Sequence, residues 1–373
     1  MGVQRDGGVC CASGMPRWKT AADCLEWVAN RDPRFVLNSA YIGRVHGFGL
    51  MGFSEAVLRG LRYPPGAMRR SILAAILLAL LSATASATTE VRSISVNGEQ
   101  RGYRLYLPPN LTTAPVALVI GLHGAVQSAA EFETDFGMNR VAQREKFAVA
   151  YPEGVNRVWD DARPPMMRLG YIVQPGDDVP FITALVRQLI REGIADPSRI
   201  YLAGLSMGGF MTARLACERA ELFAAIAMMA ATVPEQYRKS CKPRRTLPGL
   251  MMHGTFDTII PWFGMPMAGA GILSANDTAQ FFADLAGCMA YADSRRPSLD
   301  RSKPVEIRRW SVCRDSASVM LYTIPGGGHL PPSAQPGRGD TFVSLFLSER
   351  SHAIDAADEI WKFFRQYRVD PPT

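Results

Sequence analysis

The sequence predicts an α/β domain with a mostly parallel central sheet and helices on both of its faces. From residue 90 onward, short apolar runs alternate with segments of helical periodicity, and this alternation is typical of parallel sheets. The run Val116–Ile120 is apolar at every position, as expected of a strand that is covered on both sides. Beyond the first 87 residues the chain has a length of about 285, which suits one sheet-based domain.

Seven strands and four helices follow from these patterns. The predicted strands are Arg101–Leu107, Ala117–Leu122, Phe147–Tyr151, Arg199–Gly204, Ala224–Met229, Gly249–His253 and Val319–Ile324. The predicted helices are Asp178–Glu192, Phe210–Cys217, Ser274–Leu285 and Ala353–Tyr367. The segments predicted as loops are Glu153–Gly176, Val233–Pro248 and Cys288–Lys303. Since ligands bind beyond the carboxyl ends of parallel strands, we expect Trp159 and Trp262 to contact substrate, with burial in the core as the alternative.

The positive charge of the chain is concentrated near its N-terminus. Lys and Arg total 41 and Asp and Glu total 34, a net charge of +7, and five of these net charges fall in the first 70 residues. A protein that binds nucleic acid would need a basic face on its folded part, so we expect no nucleic-acid partner. With 47% hydrophobic and 20% charged residues, the composition is that of a globular enzyme.

Residues 68–87 have the three parts of a cleavable secretory signal. Met68-Arg69-Arg70 precedes the apolar run Ile72–Leu81, and small residues follow as far as Ala87. The apolar run is half of the roughly 20 residues that span a bilayer, so no permanent membrane span is expected. Cleavage after Ala87 would leave residues 88–373 as a single catalytic domain, secreted or periplasmic.

The 67 residues before this signal are unexpected, because signal peptides act from the N-terminus. They contain Cys10, Cys11 and Cys24 but no sustained hydrophobic period. We interpret residues 1–67 as a non-native upstream extension, disordered or absent, with Met68 as the initiator. The alternative is a cytoplasmic tail on an uncleaved anchor.

Four cysteines remain beyond the signal, an even number in a chain that is predicted to be exported. In an oxidising compartment they are expected to form disulfides. Pairing neighbours, Cys217 with Cys241 and Cys288 with Cys313, closes two loops of similar, modest length. Buried free thiols are the alternative.

A nucleophilic serine is predicted where the strand Arg199–Gly204 meets a helix. The sequence there is Gly204-Leu205-Ser206-Met207-Gly208, and the turn of a nucleophile elbow is too sharp for side chains two residues either side of the serine. Such a turn lifts the Ser206 hydroxyl clear of the sheet, above the positive end of the following helix.

A serine hydroxyl needs a histidine to take its proton and a carboxylate to orient that histidine. In this arrangement the order along the chain is Ser, acid, His, each after a strand. His329 follows the strand Val319–Ile324 and is the predicted base, and Asp257 follows Gly249–His253 and is the predicted acid. The less suitable candidates are the bases His253 and His352 and the acids Asp277 and Asp284. No spacing typical of metal ligands occurs, so neither a metal nor another cofactor is expected.

Two backbone N–H groups are expected to hold the oxyanion. Met207 supplies one by its position after the nucleophile. Ala125 is the first choice for the other and Gly124 the second, in the turn after the strand Ala117–Leu122. His123, in the same turn, is interpreted as a structural histidine.

Taken together, these stretches resemble the secreted esterases of the poly(3-hydroxybutyrate) depolymerase and feruloyl esterase group, in the α/β-hydrolase superfamily. The similarity runs from about Arg101 to Phe364. It rests on Leu122-His123-Gly124, Phe147–Gly154, Asp177–Ile182, Asp196–Tyr201 with the elbow, His253–Asp257 and Tyr322–His329. The resemblance implies the α/β-hydrolase fold and Ser206, Asp257 and His329 as the triad, and it supports the neighbour pairing of the cysteines.

Two departures from the group bear on substrate. Ala125 stands where members often have Cys, and Leu330-Pro331-Pro332 follows His329 where they usually have Trp-Pro-Gly. Members that attack solid polymer commonly carry an added adsorption domain, and none follows the last predicted helix. We therefore expect a serine esterase that forms an acyl-enzyme with small or oligomeric esters: hydroxyalkanoate oligomers, feruloyl esters or acetyl esters. The alternatives are an acyltransferase or peptidase with the same triad, or a non-catalytic binding protein with the same fold.

Overall fold

The structure is a computed structural model that describes residues 89–109, 111, 114–161, 163, 176–266, 271–301, 303–334 and 350–369. The chain divides into two units, Met1–Ala83 and Thr84–Thr373, and every described residue belongs to the second. The predicted upstream extension (1–67) and the predicted signal peptide (68–87) therefore lie outside the described residues.

Among the described residues, ten strands form one sheet. They are β1 (Thr89–Val96), β2 (Glu99–Tyr106), β3 (Val116–Leu122), β4 (Ala148–Pro152), β5 (Ala195–Leu205), β6 (Ala225–Met229), β7 (Gly249–Gly254), β8 (Ala290–Arg296), β9 (Val305–Ser311) and β10 (Val319–Ile324). Their order across the sheet is β1-β2-β4-β3-β5-β6-β7-β10-β9-β8. The strands from β4 to β10 in this order are parallel, and each of the two strands beyond them at either edge pairs antiparallel with its neighbour.

Helices cover both faces of the sheet. They are α1 (Ala129–Phe136), α2 (Met138–Glu145), α3 (Asp178–Arg191), α4 (Met207–Glu218), α5 (Tyr237–Ser240), α6 (Ala275–Leu285) and α7 (Ala356–Phe364). One apolar cluster joins the sheet to α3, α4 and α6, and the other joins it to α1, α2 and α7. Every residue of β3 and β4 is buried between the two layers, which explains why these strands lack polar alternation.

The predicted fold class is confirmed, and each of the seven predicted strands is present. β1, β8 and β9 are additional, and β8 lies within Cys288–Lys303, so the prediction of a loop there is wrong. Six of the seven residues of β8 are exposed. A strand at the sheet edge with no buried face does not impose an alternating pattern on its sequence.

Two further helices, α1 and α2, were not expected between β3 and β4. Ser128 begins α1 through a capping box: its hydroxyl accepts the backbone N–H of Glu131, and the Glu131 carboxylate accepts the backbone N–H of Ser128. Gly137, with φ of 67°, separates α1 from α2. The Ser-x-x-Glu pattern is therefore a sequence signal for α1.

Two disulfides are present, and their pairing is the one predicted. Cys217 in α4 is joined to Cys241, which follows α5. Cys288, after α6, is joined to Cys313, after β9. The first bridge links α4 to a segment farther along the chain, and the second links the segment that follows α6 to the segment that follows β9.

Candidate active site

Ser206 is the one residue between β5 and α4. Its φ of 53° is uncommon for a residue with a side chain, and its N–H donates to the Met229 carbonyl over 2.8 Å. A Cβ placed on Gly204 would lie 2.1 Å from the Gly208 carbonyl oxygen, and one on Gly208 would lie 2.3 Å from the Leu122 carbonyl oxygen. Both glycines of the Gly-x-Ser-x-Gly motif are therefore required, because neighbouring backbone atoms leave no room for a side chain at either position.

The structure brings together the three side chains predicted to form the triad. The Ser206 Oγ lies 2.8 Å from Nε2 of His329. Nδ1 of His329 lies 2.8 Å from Oδ2 and 3.0 Å from Oδ1 of Asp257. With Nδ1–H donating to the carboxylate, Nε2 is left to accept the serine hydroxyl proton. Ser206, Asp257 and His329 therefore form a continuous hydrogen-bonded relay.

The sheet places these three residues side by side because each follows a parallel strand. Ser206 follows β5, Asp257 follows β7, and His329 follows β10. β7 pairs in parallel with β10, so the segments that carry the acid and the histidine leave the same edge of the sheet. This is the edge where open α/β sheets bind ligands.

A tight turn holds the Asp257 carboxylate, whose side chain is fully buried. Oδ1 accepts the backbone N–H groups of Ile259 and Ile260, each over 2.9 Å. His253 lies beside the turn, with Nε2–H donating to the Ile260 carbonyl over 2.8 Å and Nε2 3.5 Å from Oδ2 of Asp257. His253 thus supports the acid turn and takes no part in the relay. Sequence reasoning considered it only as an alternative base.

The other rejected candidates have contacts of their own. Asp277 is in the first turn of α6, where its N–H is capped by Ser274. Asp284 accepts a hydrogen bond from Gln280 over 2.7 Å. The His352 Nδ1 lies 2.6 Å from the Ser333 carbonyl oxygen.

The oxyanion candidates differ in whether their N–H groups are already engaged. The Gly124 N–H donates to Oε1 of Gln127 over 3.1 Å. The N–H groups of Ala125 and Met207 have no acceptor among the described residues. This arrangement favours Ala125 over Gly124 as the partner of Met207. Sequence reasoning missed Gln127, three residues beyond the glycine that it engages.

His123 anchors the peptide group that carries the Ala125 N–H. Its Nε2 accepts the Gly154 N–H over 3.0 Å, so Nδ1 bears the ring proton and donates to the Gly124 carbonyl over 2.8 Å. In a trans peptide the Ala125 N–H points away from that carbonyl, and hence away from the ring. Burial lowers the pKa of His123 to about 4, so the ring stays neutral near pH 7. It can then donate with one nitrogen and accept with the other.

Neither tryptophan that was predicted to contact substrate is among the described residues that line the cavity of Ser206. Trp159 is fully buried and does not line the site. Its indole N–H donates to the His123 carbonyl over 2.9 Å, so it supports the turn that carries Gly124 and Ala125. Trp262 lines a different cavity, of about 770 Å³, together with Thr255. It packs edge-on against His253, with 5.8 Å between ring centroids.

Ser206 and His329 line a cavity of about 1100 Å³. The turn at residues 124–127 and α1 form part of its wall, and Ile259 and Leu330 add apolar surface. Drug-sized ligands occupy pockets of about 300–1,000 Å³, so the cavity has room for much more than an acetyl group.

Among the described residues, no three His, Cys, Asp or Glu side chains are grouped so that they could hold a metal ion. In the same part of the chain, no helix is long and apolar enough to span a membrane.

Comparison with known proteins shows the family. A family model described as esterase PHB depolymerase matches residues 101–241. NocK, a candidate esterase of Nocardia uniformis subsp. tsuyamanensis, is 32% identical over 273 residues, which are 66% of this chain and 75% of NocK. The chain belongs to the esterase PHB depolymerase family. The resemblance inferred from the sequence motifs is thereby confirmed.

Other members of this esterase group differ in how much of them the chain covers. Feruloyl esterase B of Piromyces equi is 27% identical over 227 residues, which are 59% of this chain and 40% of that protein. The solved structure of an acetyl xylan esterase from Aspergillus awamori matches with a TM-score of 0.50 at 16% identity, over 74% of this chain and 99% of that one. The structural likeness shows the α/β-hydrolase fold. As a member of the family, the protein is a serine hydrolase of carboxylic esters.

Proposed function

We propose that the protein hydrolyses carboxylic esters through an acyl-enzyme formed on Ser206. The observation that carries this proposal is the relay from Ser206 through His329 to Asp257, with both hydrogen bonds at 2.8 Å. The relay ends at a cavity that the nucleophile and the base both line.

In the first half of the reaction, the Ser206 Oγ attacks the ester carbonyl carbon while its proton passes to Nε2 of His329. The Asp257 carboxylate stabilises the imidazolium that forms. The carbonyl oxygen becomes an oxyanion and accepts hydrogen bonds from the N–H groups of Ala125 and Met207. The intermediate then expels the alcohol, which takes the proton from His329 and leaves an acyl group on Ser206.

In the second half, water attacks the acyl carbon and gives a proton to Nε2 of His329. A second oxyanion forms in the same place, and its collapse releases the carboxylic acid and returns the proton to Ser206. The pKa of His123, lowered to about 4 by burial, keeps the supporting imidazole neutral through the cycle at neutral pH.

We further propose that the substrates are small or oligomeric esters: hydroxyalkanoate oligomers, feruloyl esters or acetyl esters. The family to which the chain belongs and the size of the cavity support this range. Residues 88–373 are proposed to be the exported catalytic domain, in the periplasm or outside the cell. Its two disulfides support an oxidising compartment.

The nucleophile is tested with Ser206→Ala and Ser198→Ala. We expect Ser206→Ala to lower kcat for p-nitrophenyl acetate at least about 10⁴-fold and to abolish labelling by a fluorophosphonate. Ser198 lies near the start of β5, whereas Ser206 follows its end, so Ser198→Ala should retain both properties. Undiminished turnover in Ser206→Ala would reject the mechanism. Release of acid and alcohol in equal amounts would show that water, and not another acceptor, resolves the acyl-enzyme.

Export is tested by mass spectrometry of the protein recovered from the periplasm or the medium of a Gram-negative host. The expected mature N-terminus is Thr88. A peptide from residues 1–67 in that product would contradict the proposed processing.

A further inference from the structure

Arg104 lines the same cavity as Ser206, and the described residues engage only part of its guanidinium. It lies on β2, its Nε donates to Oε2 of Glu133 over 2.6 Å, and its side chain is 28% exposed. Its two terminal nitrogens, Nη1 and Nη2, have no partner among the described residues. A charged, planar donor group is therefore presented to the cavity.

A partly buried network of hydrogen bonds holds this guanidinium in place. The Glu133 side chain is 10% exposed. Its Oε1 accepts hydrogen bonds from the Thr89 hydroxyl and, over 2.6 Å, from Nδ2 of Asn139. Oδ1 of Asn139 in turn accepts the Tyr151 hydroxyl over 2.8 Å. Because Glu133 is held by these donors, Arg104 is positioned before any ligand arrives, which reduces the entropy lost on binding.

Charge balance indicates which ligand suits this position. Glu133 neutralises Arg104. Two more carboxylates, Glu131 and Asp135, line the cavity, and each has an arginine nitrogen nearby, at 3.8 Å and 3.5 Å respectively. Asp135 accepts a hydrogen bond from Gln127 over 2.9 Å. Because the charge of Arg104 is already balanced by Glu133, the site has no excess positive charge to attract an anion, whereas a neutral oxygen can accept a hydrogen bond from Arg104 at little electrostatic cost.

We propose that Arg104 forms a subsite for an uncharged carbonyl or hydroxyl oxygen of the substrate, away from the ester that Ser206 attacks. The subsite rests on the proposed function, since it needs a substrate that transfers its acyl group to Ser206. It selects esters that carry a further oxygen along the chain, such as oligomeric hydroxyacid esters, over plain alkyl esters. The cavity of about 1100 Å³ has room for more than one such unit.

The test compares two neutral substrates: the methyl ester of a 3-hydroxybutyrate trimer and an unbranched alkanoate methyl ester of equal chain length. Acid release at constant pH gives kcat/KM for each, and the ratio of the two values measures the subsite. We expect the wild type to favour the trimer, and Arg104→Met to lower the ratio at least about tenfold because a charge-assisted hydrogen bond is lost. Arg104→Lys, which keeps the charge but not the planar fork, should lower it less.

Arg199→Met is the matched control. Arg199 also donates from Nε to a carboxylate over 2.6 Å, and its side chain is 30% exposed, but it does not line the cavity. We expect Arg199→Met to leave the ratio at the wild-type value. Arg104→Met leaves Glu133 without its cation, so the double variant Arg104→Met/Glu133→Gln provides the comparison if the single variant does not fold.

Two results would overturn the subsite: a wild type that prefers the alkanoate, or equal ratios in the Arg104→Met and Arg199→Met variants. In both cases hydrolysis would still depend on Ser206. Failure of the proposed function gives a different result, because the wild type would then hydrolyse neither ester.

Discussion

Single side chains at this site act mainly by determining where protons and N–H groups point. The Asp257 carboxylate selects the tautomer of His329, which leaves Nε2 to take the Ser206 proton. Gln127 engages the Gly124 N–H, and His123 anchors the Gly124 carbonyl. Gln127 and His123 therefore determine which of the candidate oxyanion donors is available.

His123 leads to a prediction about stability in acid. Its pKa in the folded protein is about 4, below the value of about 6.5 expected in the unfolded chain. Between these values the unfolded chain binds a proton that the folded chain does not, so the free energy of unfolding falls as the pH decreases. The full contribution, about 3 kcal/mol, is present above pH 6.5 and is lost as the pH approaches 4.

Urea unfolding of the wild type, His123→Gln and His352→Gln at about pH 7 and about pH 4.5 measures this contribution. We expect the wild type and His352→Gln to lose more stability over the interval than His123→Gln, because His352 is only half-buried. An equal loss in all three proteins would show that His123 is not the group responsible.

Among the secondary-structure elements, the junction between β5 and α4 is the most constrained. The helix begins directly after Ser206, and its first turn passes so close to the strand end that Gly204 and Gly208 lie in backbone contact. The same close passage directs the Ser206 hydroxyl toward His329. The tight packing at the junction and the exposure of the nucleophile thus both result from the close approach of α4 to the end of β5.

We expect Gly204→Ala to lower the free energy of unfolding by about 3 kcal/mol or more, because its Cβ would lie 2.1 Å from the Gly208 carbonyl oxygen. It should also reduce kcat, since the elbow must shift to make room. Gly102, a glycine of β2 with no atom within 4 Å of an added Cβ, is the matched control. Thermal unfolding and p-nitrophenyl acetate turnover of the two alanine variants test this, and similar melting temperatures for both would contradict the steric account.

For the described domain as a unit, stability comes from two apolar layers, one on each face of the sheet, with the disulfides as added constraints. The two cysteines are 24 residues apart along the chain in the first bridge and 25 in the second. A disulfide that closes a loop of this length constrains the unfolded chain and raises the free energy of unfolding by about 3 kcal/mol.

Removing one bridge with Cys217→Ala/Cys241→Ala should therefore lower the free energy of unfolding by about 3 kcal/mol. The other bridge, removed with Cys288→Ala/Cys313→Ala, should have a similar effect because its loop is of similar length. Denaturant unfolding of both variants, with the wild type under the same non-reducing conditions, gives the two differences. Full stability in either variant would show that its bridge does not constrain the unfolded chain.

Local patterns in the sequence were sufficient to predict the main strands and helices and the order of the candidate catalytic residues along the chain. Continuous apolar runs predicted β3 and β4 because strands between two helical layers cannot expose polar side chains. The glycines around Ser206 and the position of Asp257 and His329 after strands predicted which side chains meet. The prediction failed at β8, where exposure imposes no pattern. It also missed α1, although the capping box and the helical spacing of the buried Ala129, Phe132 and Phe136 are local signals.

The tertiary structure alone decided contacts between residues that are distant along the chain. Burial places Trp159 beneath His123 rather than in the cavity. The side chain of Gln127 distinguishes Ala125 from Gly124, and the pairing of Arg104 with Glu133 places a donor in the Ser206 cavity. The sequence determined the type and order of the reacting groups, because strand ends and turns are local features. Which donors remain unengaged depends on long-range packing, and local sequence does not encode it.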